Sequence, residues 1–344
     1  MKNIVSSIGC FLLLLATCAA QTDRVRTTSG VVLGEVTDSS AISVTVTRGS
    51  TEKKVPVSEI ISVQFGSEPA ELRQVRLNFR NGSYQKALEK IQQLDASDLE
   101  NPFLPKEIVF YKVASRAKLA LLGEGSVADA GRSLNQYLKQ NRDSFHYLAG
   151  TELLGDLFVA VKRYDHAVAQ YKQIAQTAKQ ETWPAYLIRA GVLLAEVSQA
   201  KGEHDEAIQR FDAVIAIKDD SPDAGQQKLR AQLGRAVSLA ATGKLDEGVK
   251  LVQQVISDSN PEARKLNAMA YNVLGKCYLE AGQAKDAAFA YMHVDELYSA
   301  QREAHAESLY YLGSLLEEIG RPQLAREARQ RLKKLYASSD WANK

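Results

Sequence analysis

The amino-acid sequence predicts a mainly α-helical protein, a superhelical solenoid of helix hairpins preceded by a small all-β, barrel-like domain. The first observation is a change of hydrophobic period. Residues 23–65 alternate apolar and polar positions, whereas the chain beyond residue 70 has the 3.6-residue period of amphipathic helices. The second observation is an internal repeat of about 40 residues through the rest of the chain. Such repeats bury their apolar faces only by stacking on their neighbours.

Composition and charge exclude several classes of protein. The 344 residues are 45% apolar and 24% charged, and 43 basic against 41 acidic residues leave a formal net charge of +2. These values exclude a disordered or collagen-like chain and give no support to binding dominated by nucleic-acid phosphates. Three cysteines in the whole sequence exclude a fold built on disulfides.

The first segment, residues 1–20, is expected to be a secretory signal peptide, which predicts an exported protein of the periplasm or cell envelope. Lys2 precedes an apolar run that is too short to span a bilayer comfortably, and small residues stand before Gln21. The alternative is cleavage before Cys18, because residues 15–18 resemble the lipidation site of a lipoprotein. Membrane contact would then be through a lipid anchor at Cys18.

A small β domain is predicted over residues 21–66, followed by a hinge at residues 67–70. Short β-branched alternations are separated by Gly- and Ser-containing turns, and one helical turn near Ser58 precedes a closing strand over residues 61–65. So short a segment must remove its sheet edges to be stable, and it resembles an SH3-like or Sm-like barrel. Sm-like relatives bind RNA, but the balanced charge and the lack of an aromatic stacking platform argue against a nucleic-acid partner.

The chain beyond the hinge repeats around seven small anchor residues spaced 37 to 43 residues apart. The anchors are Ala87, Ala130, Ala167, Ala207, Gly248, Ala287 and Ala325. Five positions before the anchor, every unit has glycine except the third, which has Lys162. Glycine there predicts a left-handed turn at the end of the first helix, and the small anchor predicts a close approach of the second helix. The α-solenoid of about six or seven units is therefore predicted over residues 71–337, with a tail at 338–344.

These units resemble the tetratricopeptide repeat (TPR) family, in particular TPR proteins of the bacterial envelope type. The resemblance rests on a Leu-Gly pair before the anchor and on an aromatic residue four positions after it. The residues that carry the signature are Leu154, Gly155, Ala167, Tyr171, Ala207, Phe211, Leu274, Gly275, Ala287, Tyr291, Leu312, Gly313 and Ala325. The period of 39 to 40 residues exceeds the usual 34 of the family, which predicts longer helices or loops.

In TPR proteins, extended peptides or partner helices lie in a concave groove lined by the first helix of each unit. Transferring the groove positions of the family gives the candidates Glu152, Asp156, Arg189, Val192, Glu196, Leu233, Val237, Asn272, Lys276, Tyr310 and Ser314, with Ala149 and Glu307 at helix starts. The Lys and Asn clamp by which chaperone-type TPR domains bind a carboxylate is absent. The mixed lining implies a partner helix or an apolar peptide, and groove residues that are merely solvated are the alternative.

No catalytic or metal-binding constellation is present in the sequence. The histidines lie in different units without metal-ligand spacing, and we interpret each as a contact at a hairpin surface or turn: His146, His166, His204, His293 and His305. Cys277 is interpreted as a small buried residue. The sequence therefore predicts a protein that is not an enzyme and has no cofactor or metal, and an enzyme is kept only as an alternative.

The last helix is strongly basic, with a single acidic residue, Glu327. Its basic residues are Arg321, Arg326, Arg329, Arg331, Lys333 and Lys334. This composition predicts a polar cap on the terminal unit, and an acidic partner or anionic lipid surface is the alternative. The functional prediction is an exported protein–protein interaction scaffold. The alternative is a lipid-anchored component of outer-membrane assembly or envelope organisation.

Overall fold

A computed structural model of the chain describes residues 22–94, 99, 101–337 and 339–342. The predicted signal peptide and Cys18 lie outside the described residues. Within them the fold class is the predicted one, a TPR-like α-solenoid with a small antiparallel β-sheet at its N-terminal end. None of the described helices is both long enough and apolar enough to cross a membrane.

Five strands form an antiparallel sheet in the order β4-β3-β2-β1-β5. They are β1 (Asp23–Thr27), β2 (Gly30–Ser39), β3 (Ser43–Arg48), β4 (Thr51–Pro56) and, after a 3-10 turn at Val57–Glu59, β5 (Ile60–Gln64). Inward-facing side chains such as Val25, Val44 and Val63 are buried, as the period of two predicts. β2 pairs with β1 over its first half and with β3 over its second half, and the register shifts between Val36 and Asp38. The sheet bends at this irregularity, while the SH3-like or Sm-like type stays a prediction.

The helices of the described residues form seven consecutive hairpins. They are α1 (Ala70–Arg80), α2 (Tyr84–Gln92), α3 (Leu104–Leu121), α4 (Val127–Gln140), α5 (Tyr147–Ala160), α6 (Tyr164–Gln180), α7 (Pro184–Ala200), α8 (His204–Ile215), α9 (Pro222–Ala241), α10 (Leu245–Asp258), α11 (Arg264–Glu280), α12 (Ala284–Leu297), α13 (Arg302–Glu318) and α14 (Pro322–Leu335). Odd-numbered helices come first in each hairpin, and even-numbered helices come second.

A left-handed residue ends the first helix of each hairpin, as predicted. The glycines five positions before the anchors all have a positive φ: Gly82, Gly125, Gly202, Gly243, Gly282 and Gly320. In the second hairpin, however, the left-handed residue that follows the C-cap of α3 is Gly123, with φ of 82°, and Gly125 lies two residues further along the loop. In the third hairpin Lys162 takes the same conformation, with φ of 57°. A Cβ atom disfavours this region of the backbone, so Lys162 is a strained position that the other hairpins avoid.

The odd-numbered helices form the inner layer of a curved array. α3 contacts α5, α7 contacts α9, α9 contacts α11, and α11 contacts α13. Within the described residues the even-numbered helices make no comparable contacts with one another. Neighbouring hairpins therefore spread apart on the even-numbered side, and the odd-numbered helices line a concave surface, which we call the inner face.

The signature glycines allow the two helices of a hairpin to touch. A Cβ atom built on Gly155 would lie 2.3 Å from the Tyr171 ring, and one built on Gly275 would lie 2.6 Å from the Tyr291 ring. Both tyrosine rings are buried. Any residue with a side chain at either position would therefore clash with the tyrosine ring unless the two helices of the hairpin moved apart.

The β-sheet and the first hairpins share one hydrophobic core. Val25 and Phe65 belong to the same buried cluster as Leu72 of α1 and Ile108 of α3. The rings of Phe65 and Phe103 stack with their centroids 5.9 Å apart. The small sheet therefore covers the apolar end of the solenoid instead of standing apart from it.

The segment predicted as a hinge, residues 67–70, is instead a packed connection. Glu68 is buried, accepts a hydrogen bond of 3.1 Å from the backbone N–H of Phe65, and pairs with Arg76 of α1. Burial raises the pKa of Glu68, and Arg76 opposes this shift. The buried ion pair between Glu68 and Arg76 restrains this segment. Residues 67–70 are therefore packed against the protein, although their composition is typical of a hinge.

Arg76 extends this contact into a buried network. Its guanidinium donates to the Glu107 carboxylate of α3 at 2.9 and 3.2 Å, and the same carboxylate contacts the His146 ring. Although burial opposes it, His146 and Arg76 hold the pKa of Glu107 below its usual value. The network joins the connection after the sheet to the first three hairpins.

We expect Lys162→Gly to stabilise the protein by about 1 kcal/mol, because glycine removes the strain of a left-handed residue that has a Cβ atom. The measurement is the free energy of unfolding in urea. Gly202→Ala is the matched variant at the equivalent turn of the next hairpin, where open space surrounds the glycine. It should lose about 1 kcal/mol for the same reason, and equal stabilities for all three proteins would contradict the argument.

Candidate functional site

Charged side chains on the inner face pair from one odd-numbered helix to the next. We call this set the inner-face ladder, and its members are Lys118, Glu152, Asp156, Arg189, Glu196, Arg230, Lys276 and Glu307. Six of these residues belong to the groove positions and helix starts transferred from the TPR resemblance. The structure therefore brings the predicted polar groove residues together, although it does so mainly through contacts with one another.

The first half of the inner-face ladder includes two forked ion pairs. Arg189 of α7 contacts both carboxylate oxygens of Glu152 on α5 at 2.7 Å. Arg230 of α9 donates to both oxygens of Glu196 on α7 at 2.5 and 2.6 Å. Two parallel N–H···O bonds fix the geometry of such a pair as well as its charge. These contacts hold consecutive hairpins in register along the inner face.

Burial and pairing act in opposite directions on these groups. Burial raises the pKa of Glu196, and the neighbouring Arg230 opposes the shift. Although burial opposes it, Glu196 raises the pKa of Arg230 in turn. For the Glu196 carboxylate the loss of water outweighs the attraction of Arg230, whereas for the Arg230 guanidinium the attraction of Glu196 outweighs burial. A ligand charge that displaced either group would leave the other buried without a partner.

Asp156 has the weakest ion pair of the inner-face ladder. Its Oδ1 accepts a hydrogen bond of 2.8 Å from the buried Tyr171 hydroxyl, whereas the Lys118 ammonium lies 3.8 Å from Oδ2. Burial first, and then the Asp156 charge, raises the pKa of Tyr171 far above its usual value, so the phenol remains a hydrogen-bond donor. One oxygen of Asp156 therefore keeps free capacity to accept a hydrogen bond.

The second half of the inner-face ladder reverses the charges. Lys276 of α11 lies 2.5 Å from Glu307 of α13. Asn272 donates to the same carboxylate and to the backbone carbonyl of Ala304, both at 2.9 Å. Between the two halves, Val237 and Met269 stand at the positions that Glu196 and Arg230 occupy two helices earlier. Both are half-buried, so the middle of the inner face is apolar.

Three of the predicted groove residues do not face a groove, which corrects the prediction at these positions. Val192 is buried in a cluster shared by α7, α8 and α9, and Leu233 in a cluster shared by α9, α10 and α11. Both side chains lie inside the solenoid, because burying an aliphatic side chain stabilises the protein by about 2 kcal/mol. Asn272 is 2% exposed, and its side-chain NH2 group already donates to Ala304 and Glu307 of α13.

The remaining candidates lie near the C-terminal end of the inner face. Ser314 is exposed on α13. Tyr310 is half-buried, and its ring lies 5.3 Å from the Trp341 ring of the tail. Trp341 also lies 5.7 Å from Tyr311. The tail thus covers part of α13 where a further hairpin would otherwise pack.

Lys118 and Arg230 are ladder members that the transfer of groove positions missed. Each has an opposite charge on the next or preceding odd-numbered helix, 38 residues from Lys118 at Asp156 and 34 residues from Arg230 at Glu196. Opposite charges separated by about one repeat length were therefore the available signal.

The titratable groups outside the inner-face ladder form no metal site in the residues that the structure describes. His305 is 2% exposed, with its ring nitrogens 2.6 Å from the Tyr336 hydroxyl and 2.7 Å from Asp295. Its interpretation as a surface or turn contact was therefore wrong, because these partners satisfy it inside the protein. Cys277 is buried as expected, and burial raises the pKa of its thiol to about 12.

Two family models described as tetratricopeptide repeat match residues 233–294 and 307–339. The chain therefore contains TPR repeats. No curated protein sequence matches the chain.

Several solved structures share the fold. The chain is similar to a tetratricopeptide repeat protein from Parabacteroides merdae ATCC 43184, with a TM-score of 0.52 and 14% identity over 79% of this chain and 96% of that chain. It is similar to a Rap protein complexed with competence and sporulation factor, with a TM-score of 0.56 and 16% identity over 79% and 76%. It is also similar to NprR in complex with its cognate peptide NprX, with a TM-score of 0.50 and 15% identity over 79% of each. At such identities the similarity shows the TPR-like solenoid alone.

Tyr171 and Tyr291 occupy equivalent positions with different partners. We therefore expect their hydroxyls to contribute differently to the free energy of unfolding. Tyr171→Phe should lose about 2 kcal/mol of unfolding free energy, because Asp156 loses a hydrogen bond to a charged group. Tyr291→Phe is the matched variant. Its hydroxyl is buried without a hydrogen-bond partner among the described residues, so its removal should be neutral or stabilising. Urea unfolding measures both, and equal losses would contradict the assignment of the Tyr171 bond.

Proposed function

We propose that the protein is a non-enzymatic scaffold whose inner face binds a peptide segment of a partner protein. The observation that carries this proposal is the arrangement of the inner face, where paired charges flank the apolar stretch at Val237 and Met269. Extended peptides and amphipathic helices need apolar burial for affinity and polar groups for register. The presence of TPR repeats and the shared fold with NprR, solved with a peptide, support the same reading.

The apolar stretch is expected to supply most of the binding free energy. The ladder charges already have partners, so a ligand gains little by exchanging one ion pair for another. An apolar side chain placed over Val237 removes surface from water on both molecules. The ion pairs then act chiefly by disfavouring segments whose charges do not match.

Site-specific photocrosslinking tests this proposal. We expect p-benzoylphenylalanine at Ser314 or at Val237, both on the inner face, to crosslink a defined segment of one partner protein. The control is the same group at Gln209, which is exposed on α8, where no crosslink to that partner should form. Mass spectrometry of the crosslinked peptide identifies the segment.

Equal crosslinking from Gln209, or none from either inner-face position in cells that make the protein, would contradict peptide binding on the inner face. A crosslink from Ser314 to scattered sites on many proteins would also argue against it. Defined crosslinks at one segment support it.

We further propose that the scaffold works in the cell envelope after export. Support comes from the apolar leader of residues 1–20 and from the resemblance to envelope TPR proteins. The intact mass of the mature protein is expected to correspond to a chain that begins at Gln21. An acylated chain that begins at Cys18 would instead favour the lipid-anchored component of outer-membrane assembly, and a chain that retains residues 1–20 would contradict export by this route.

A further inference from the structure

A small open cavity lies between α5 and α7, beside the first half of the inner-face ladder. Its volume is about 180 Å³, which is below the size of a typical site for a whole small-molecule ligand. The lining residues are Asp156, Val159, Tyr171, Leu193, Glu196, Val197 and Arg230. A cavity of this size on a peptide-binding face suits one side chain of the bound segment.

The lining combines apolar walls with one carboxylate that is incompletely paired. Val159, Leu193 and Val197 provide the walls. Glu196 has both oxygens bonded to Arg230, so neither group is available without breaking a forked ion pair. Asp156 differs, because its Oδ2 has only the Lys118 ammonium at 3.8 Å.

We propose that this cavity binds the side chain of a lysine or arginine from the partner segment. The methylene stem lies against the apolar walls, and the cationic end donates to Oδ2 of Asp156. Long cationic side chains combine these two requirements, because their stems are apolar while their ends are charged. The inference rests on the proposed peptide-binding function and names the residue type that one position of the inner face selects.

Charge complementarity selects this occupant over the alternatives. The lining contains two carboxylates, from Asp156 and Glu196, against the single cation of Arg230. Lys118, outside the lining, offsets the second carboxylate only from 3.8 Å, so a bound cation at hydrogen-bond distance from Asp156 takes over that role. An acidic side chain would face Asp156 and Glu196 as a like charge, and a purely apolar one would cover Asp156 without offering it a donor.

Lys118 acts as a competitor for the same oxygen. Its side chain is 36% exposed, and its ammonium lies beyond hydrogen-bond distance from Asp156. A partner cation at hydrogen-bond distance can displace this contact without breaking a short ion pair. Removing Lys118 should consequently strengthen binding of a cation.

The probe is n-butylguanidinium, added to the full chain with labelled Val and Leu methyl groups and followed by methyl NMR. We expect saturable shifts at Val159, Leu193 and Val197, with binding that weakens as salt is raised. n-Pentanol, a neutral probe of similar length, should produce shifts several times weaker. Shifts of the same size for both probes, or shifts that spread over unrelated acidic surfaces, would overturn the proposal.

Two variants separate binding from folding. Asp156→Asn keeps an acceptor for Tyr171 and should weaken n-butylguanidinium binding about fivefold, whereas Lys118→Met should strengthen it about threefold. Asp220→Asn, at an exposed loop position, is the matched control and should change nothing. Stronger n-butylguanidinium binding by Lys118→Met cannot result from misfolding. The proposal would be overturned if Lys118→Met did not strengthen binding and Asp156→Asn did not weaken it.

The photocrosslinked segment distinguishes this proposal from the function on which it rests. Partner crosslinks at Ser314 that are unaffected by Asp156→Asn would leave the scaffold function intact and reject the cavity as a specificity site. Weaker partner binding in Asp156→Asn, together with stronger partner binding in the single variant Lys118→Met, would support it. Probe binding without any partner crosslink would support the cavity and contradict the function.

Discussion

In the third and sixth hairpins, the contact between a tyrosine ring and a backbone without a Cβ atom determines how the two helices pack. At Gly155 and Gly275 the opposing tyrosine ring occupies the volume in which a side chain would begin. The two helices therefore approach closely enough to bury the ring, but a hairpin alone still leaves its inner and outer flanks uncovered. Stacking of neighbouring hairpins follows from this incomplete burial, and the curved inner face follows from stacking on the odd-numbered side.

The first and last hairpins of the solenoid each lack a neighbouring hairpin on one side, and the exposed side is covered differently at the two ends. At the N-terminal end the β-sheet shares its core with α1 and α3. At the C-terminal end Arg329 takes the place of the tyrosine, with its aliphatic stem over Gly313 and its guanidinium paired with Glu317. A side chain that is apolar near the backbone and charged at its tip packs against glycine and faces water at once. This explains why the last unit departs from the apolar pattern.

The repeat could be predicted from the sequence because its cause is local, whereas the contacts between hairpins could not. The glycine turn, even where Lys162 replaces glycine, is a property of a few neighbouring residues. Groove positions depend on helix rotation: Glu196 is half-buried beside Arg230, whereas Val192, on the same helix, is fully buried. The packed connection was missed because Glu68 and Glu107 meet Arg76 from 8 and 31 residues away, at no repeating interval.

The paired charges of the inner face constrain how any ligand can be recognised. A groove of one sign attracts every oppositely charged segment over long range, but the inner-face ladder alternates signs and leaves little net field. Recognition must therefore be short-ranged and depend on local gaps in the pairing. Within the described residues, the inner face has two such gaps, the apolar stretch at Val237 and Met269 and the long contact between Lys118 and Asp156. Because one gap is apolar and the other accepts a cation, a segment that fills both must have an apolar residue and a basic residue at a fixed separation.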